Sequence, residues 1–221
     1  MHPGAPIHLK SPDELQKMRA AGRVNAEILA TVKSLIAPGI STADLNAAAD
    51  EVLKKHNCYS PFKGYGHPPF PASICTSVNE ELVHGIPSKK TILREGDIIS
   101  VDSGTVLDGF VADSAFTAGV GEISSEARHL LDVTEGALEA AVQQMRPGKR
   151  TGDISATIQS FAESRGLQVT REYTSHGVGR QMHEPPMVPN FGEPGTGIPL
   201  RPGAPRLAAF SMASFLGCCG G

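Results

Sequence analysis

The sequence predicts an α+β domain with two-fold pseudosymmetry, each half a pair of helices followed by strands, and with a site between the halves. Two observations carry this. The pattern P-G-x-x-T-x-D-[LI] occurs at Pro38–Leu45 and again at Pro147–Ile154, each time between two helical stretches. Ile98–Ala118 alternates apolar and β-branched residues on both sides of Asp108-Gly109, a dipeptide suited to a tight type I′ hairpin turn.

The elements follow in order. Ser11-Pro12-Asp13-Glu14 is a capping box with Pro at the first helical position, and Leu15, Met18, Val24, Ile28, Val32 and Leu35 recur at helical spacing until Ala37-Pro38-Gly39. A second helix starts near Ser41-Thr42, carries Leu45, Val52 and Leu53, and ends near His56-Asn57. Tyr59–Pro71 is a loop rich in Pro, Gly and aromatics, and Ser73–Val78 and Leu82–Ile86 read as short strands. Past the hairpin, helices are predicted over Ser125–Met145 and Gly152–Arg165, then a strand over Leu167–Tyr173.

The hairpin carries the first chemistry. If Asp108-Gly109 is a two-residue turn, paired residue numbers sum to 217, so Asp102 faces Ala115 and Gly104 faces Asp113. Period-two alternation puts Asp102, Gly104, Asp113 and Ala115 on one face, with the two Asp as diagonal neighbours roughly 7–8 Å apart. Gly104 and Ala115 are expected to leave space there. Buried, the two carboxylates would repel each other, and a pair of divalent cations would resolve the conflict. Taken alone, the hairpin also allows the plainer reading of two solvated Asp on an exposed face.

The second chemical stretch is His176–Pro185, HGVGRQMHEP, where small residues after His176 allow close backbone approach and a neutral imidazole can ligate a divalent metal. His183 is placed to hydrogen-bond a substrate carbonyl, and His84, in Val83-His84-Gly85, is a third candidate. The spacing is not that of a helical HExxH zinc pair. Both stretches would also be compatible with ordinary loop histidines.

Composition narrows the classes. With 221 residues, 40% hydrophobic and 19% charged, the chain fits one globular domain. A net charge of −3 gives no footprint for nucleic acid or an anionic membrane, and no apolar run has the length of a membrane span. Cys58, Cys75, Cys218 and Cys219 form no CxxC pair, which predicts a reducing, cytoplasmic setting.

VNEELVHGIP, IISVDSG…DGFVADSAFT and SHGVGRQMHEPP, in this order and spacing, resemble type I methionine aminopeptidases of the pita-bread metallopeptidase family, over Ile7 to Gly203. The resemblance implies a pita-bread fold whose two halves surround a curved antiparallel sheet, and two divalent ions (Co, Mn, Fe or Zn) held in part by Asp102, by a bridging Asp113 and by His176. It implies that His84 and His183 contact the substrate and its scissile carbonyl, and that Phe70, Cys75 and Met182 line the methionine pocket. The implied activity is removal of the N-terminal methionine from nascent proteins by metal-activated water, with a small second residue preferred. Partners would be peptide N-termini near the ribosome, and the protein a short bacterial form acting as a monomer. A prolidase-like or creatinase-like hydrolase is disfavoured by the short N-terminus.

The chain departs from the family at its C-terminal end. Arg201-Pro202-Gly203 repeats Arg94-Glu95-Gly96; six residues past Gly96 lies Asp102, and six past Gly203 lies Ala209, where the family has a Glu ligand. A second Glu ligand would fall beyond Gly221. The expectation is therefore an N-terminal extension at 1–10, an incomplete pita-bread domain at 11–203 with its last strands missing or replaced, and a tail at 204–221 foreign to the family. The expected activity is feeble or absent, and the alternative is a non-catalytic protein- or peptide-binding module.

Overall fold

The computed structural model describes residues 7–201 and 216–217. Helix α1 (Pro12–Leu35) begins at the predicted capping box: the Glu14 amide donates to Ser11 Oγ at 3.3 Å, and the Ser11 amide donates to the Glu14 carboxylate at 2.8 Å. Its buried stripe is Ala21, Val24, Asn25, Ile28 and Val32, apolar save for one Asn. Helix α2 (Thr42–Lys55) repeats the device with Ser41 and Asp44. Both pack on an antiparallel sheet of β1 (Ile74–Val78), β2 (Ile98–Leu107) and β3 (Phe110–Gly119), in that order, and the shared core includes Val24, Ile28, Leu45, Val52, Ile74, Ile99 and Val101.

The second half is built on α3 (Ser125–Gln144) and α4 (Thr151–Glu163), with a core of Val133, Ala141, Ile154, Ile158, Val169 and Val188. Its strands form two antiparallel pairs: β4 (Gln168–Val169) with β7 (Leu216–Gly217), and β5 (Thr174–Gly177) with β6 (Glu184–Pro189). Val178 packs against Val106 and Val111 of the hairpin, so a small third cluster joins the halves.

The repeat is a repeat of backbone pairing. Gly39 and Gly148, at φ +93° and +91°, turn the chain after each Pro in a conformation that only glycine adopts freely. Ser41 bridges Ile92 in the first half and Arg150 bridges Pro199 in the second. The Thr42 amide donates to Thr91 O at 3.0 Å, and the Thr151 amide to Ile198 O at 3.0 Å. Each threonine hydroxyl then accepts a backbone N–H, Thr42 from Ser88 and Thr151 from Ile198. The threonine of the pattern thus ties each helix start to the segment that precedes the Arg-x-Gly sequence.

Three local expectations are corrected. Leu82–Ile86 is not a strand: among the described residues its one backbone–backbone bond to β1 is the Thr76 amide to Gly85 O, 2.9 Å, and His84 stands at φ +60°, which bends the segment away. The strand over Leu167–Tyr173 shrinks to Gln168–Val169. Gly104 does not open space for a ligand; a Cβ there would meet Pro61 Cγ at 2.8 Å and Phe62 Cε1 at 2.9 Å, so the Tyr59–Pro71 loop packs on it. Ala209 lies outside the described residues. Among the described residues no helix is long and apolar enough to cross a membrane.

The hairpin register is the predicted one, Ile98↔Gly119 through Leu107↔Phe110. Asp108 and Gly109 sit at φ +49° and +75°, as a type I′ turn requires. Nothing lies within 4 Å of where a Cβ on Gly109 would stand, so substitution there acts through the backbone alone. Gly109→Ala is expected to lower unfolding free energy by about 1–2 kcal/mol in urea denaturation; no loss would mean the turn does not set the register.

Candidate metal centre

The register builds the site from alternation. On β2 and β3 the odd-numbered residues of one strand and their partners, Val101 with Phe116 and Ser103 with Ser114, face α1. Asp102, Asp113 and Ala115 face the opposite way, and β1 adds Cys75 beside Asp102. Burial, the largest cause, pushes both Asp carboxyls above the ordinary carboxylate range, and for Asp113 the charge of Asp102 pushes further in the same direction. Among the described residues, Asp102 Oδ1 is buried with no hydrogen-bond partner. Cys75 has its thiol raised by burial and by both Asp, so it stands as a neutral, apolar neighbour.

Strand β5 brings His176 to the same point. Its Nδ1 lies 3.1 Å from Gly177 O, which can only accept, so the ring proton sits on Nδ1 and the Nε2 lone pair is left free. That Nε2 is 3.7 Å from Asp113 Oδ2. Burial lowers the His176 pKa, which keeps the ring neutral. A lone pair, a carboxyl group and a carboxyl oxygen with no partner among the described residues thus converge. This donor set fits a divalent cation, although among the described residues no three His, Cys, Asp or Glu side chains are already gathered at coordinating distances.

The other two histidines stand around this point. The His183 ring lies 4.3 Å from that of His176, and burial, then the charges of His176 and His84, lower its pKa to about 4. Its Nδ1 is 3.3 Å from the Tyr65 hydroxyl. His84 is exposed, with its ring edge-on to Tyr173 at 6.0 Å. Of the three residues assigned to a side-chain pocket, Cys75 lies on the Asp face, Phe70 is half-buried at the base of the 64–70 loop, and Met182 is half-buried beside His183. Tyr65 and Tyr173 were missed in the sequence, where isolated aromatics in loops show no periodicity.

The turn carrying Met182 and His183 is held by a buried ion pair. Lys10 Nζ donates to Glu184 Oε2 at 2.6 Å, with the two side chains 4% and 10% exposed. Glu184 Oε1 accepts the amides of Arg180 at 2.6 Å and Gln181 at 3.1 Å. Burial raises the Glu184 pKa, but Lys10 and these amides outweigh it and the net shift is downward. Gly179 belongs here for contact reasons, since a Cβ would strike the Glu184 carboxylate and Lys10 Cε. Arg180 stacks over Phe110 at 4.6 Å, which fastens the turn to the hairpin.

Lys10→Met strands a buried carboxylate and should destabilise the fold by about 3–5 kcal/mol in urea denaturation; a loss under about 1 kcal/mol would show the pair is solvated. The Asp pair has its folded-state pKa raised above the unfolded value, so its contribution is full below the ordinary carboxylate pKa and is lost as pH rises through the folded one. With chelator present, thermal melts from roughly pH 5.5 to 7.5 should show wild type losing stability relative to Asp113→Asn. Parallel curves would contradict a coupled, buried pair.

Residues 16–204 match metallopeptidase family M24. A methionine aminopeptidase of Clostridium acetobutylicum is 48% identical over 194 residues, covering 88% of this chain and 77% of that protein. Methionine aminopeptidase 1 of Bacillus subtilis is 47% identical over 197 residues, covering 89% and 78%. The crystal structure of a Thermotoga maritima methionine aminopeptidase superposes with a TM-score of 0.87 at 44% identity, over 90% of this chain and 79% of that one. An Xaa-Pro dipeptidase of Bacillus anthracis, at 20% identity and a TM-score of 0.70, shares the fold, over 86% of this chain and 51% of that one. The chain belongs to metallopeptidase family M24, and within it stands with the methionine aminopeptidases.

Proposed function

We propose that this protein removes N-terminal methionine from peptides and nascent chains, with a small second residue preferred, as a monomeric cytoplasmic enzyme acting near the ribosome. The domain responsible is 11–203. The observation that carries the reading is the convergence of Asp102, Asp113 and the Nε2 lone pair of His176 on one point. These residues hold divalent ions, of which Co, Mn, Fe and Zn all accept carboxylate and imidazole ligands. Bound there, two such ions supply water acidified toward neutrality as the nucleophile.

The chain's own residues do the rest. With the Tyr65 hydroxyl donating to Nδ1, neutral His183 carries its proton on Nε2 and keeps it while offering a hydrogen bond to the scissile carbonyl oxygen, where charge develops. The low His183 pKa keeps the ring neutral, so it donates a hydrogen bond without repelling the neighbouring cations. His84, turned outward at φ +60°, is placed for the substrate backbone. Phe70, Cys75 and Met182 receive the unbranched thioether, and the raised Cys75 thiol offers it an uncharged wall.

One observation favours a second reading, binding of peptide N-termini without hydrolysis: among the described residues the point is served by three donors, Asp102, Asp113 and His176. Incubating the chain with Met-Ala-Ser and excess Co(II) or Mn(II) distinguishes them. Feeble methionine release is expected, abolished by chelator, lost in Asp113→Asn, and slower from Met-Leu-Ser. A tight divalent site with release would support the enzyme, and no tight divalent site with no release would support the binding module.

A further inference from the structure

Asn25 is the one polar residue in the buried stripe of α1, and it is 1% exposed. Its side chain uses its whole hydrogen-bonding capacity on the hairpin. Nδ2 donates to Ser103 O at 2.8 Å and to Ser114 Oγ at 2.8 Å, while Oδ1 accepts from Ser103 Oγ at 2.9 Å and Thr105 Oγ1 at 3.0 Å. Ser103 and Ser114 face each other in register, on the rung between Asp102↔Ala115 and Gly104↔Asp113. The amide therefore grips both strands on the single rung that separates the two Asp, one residue along the chain from each.

We propose that Asn25 is a positioning residue that sets the relation of Asp102 to Asp113 from the back of the sheet. This rests on the metal-site reading of those two carboxylates. Strand pairs twist, and the twist between adjacent rungs decides where diagonal side chains point. An apolar residue would fill the same space in the stripe but would leave three hydroxyls and a carbonyl without this partner and the middle rung unpinned. The plainer possibility is that Asn25 satisfies buried hydroxyls and adds stability only.

The two differ in what Co(II) reports. Asn25→Ala removes the whole clamp, Ser114→Ala removes only its hold on β3, and Ser114→Thr keeps that hydroxyl. Each folded variant, checked by circular dichroism and thermal melt, is titrated with Co(II) by calorimetry and visible absorption. Asn25→Ala and Ser114→Ala are expected to weaken Co(II) binding by about 10–100-fold and to shift the cobalt bands, with Ser114→Thr restoring both. Lower melting temperatures with unchanged Co(II) affinity and spectrum would overturn the proposal. If Asn25→Ala does not fold, Ser114→Ala carries the test. If wild type itself binds no Co(II), the metal-site reading fails and this inference falls with it.

Discussion

Two carboxylates on one sheet face, with a single rung between theirs, cannot both carry charge without a compensating cation, and the rest of the molecule is arranged around that conflict. Asp102 and Asp113 are raised by burial, Asp102 Oδ1 is left without a partner among the described residues, and the nearest imidazole turns a lone pair toward them. In a protein without chemistry at this point, such a cluster would cost stability and gain nothing. The cost is tolerable because the strands that hold it are among the best anchored in the fold, with Ile99 and Val101 wholly buried between the Asp-bearing face and α1.

The two halves contribute different things. The first supplies the carboxylates on a rigid hairpin pinned from behind by α1. The second supplies His176 and His183 on β5 and the turn after it, elements that are short and need bracing. That bracing comes from the other half: Lys10 just before α1 neutralises Glu184, Phe110 at the hairpin turn stacks under Arg180, and the Val111 amide donates to Gly179 O at 2.8 Å. The site lies between the halves because neither half holds all of its parts. Glu184 is thereby spent on structure, and it has no free oxygen to offer a metal from this position.

Much of this was legible in the sequence, for physical reasons. A two-residue Asp-Gly turn fixes register, and register fixes which side chains share a face, so the Asp pair could be placed by counting. The Pro-Gly-x-x-Thr-x-Asp repeat was legible because its residues serve the backbone, through a positive φ, a capped helix start and a threonine that bonds the returning strand. What escaped was set by contacts between distant segments. Leu82–Ile86 looks β-prone, yet His84 stands at a left-handed φ, and Gly85 lies close against Thr76 and Ser77. Gly104 reads as ligand space until Pro61 and Phe62 are seen to fill it. Lys10, Tyr65 and Asn25 meet their partners 174, 118 and 78–89 residues away, a separation that no local pattern encodes.

A divalent cation entering this site must displace a proton held by the buried Asp pair. Calorimetric titration with Mn(II) near pH 6, repeated in buffers of differing ionisation enthalpy, counts that proton directly. Saturable binding is expected, with release of at least one proton per chain, diminished in Asp113→Asn. Saturable binding with no proton released, or the same release from Asp113→Asn, would refute the displacement.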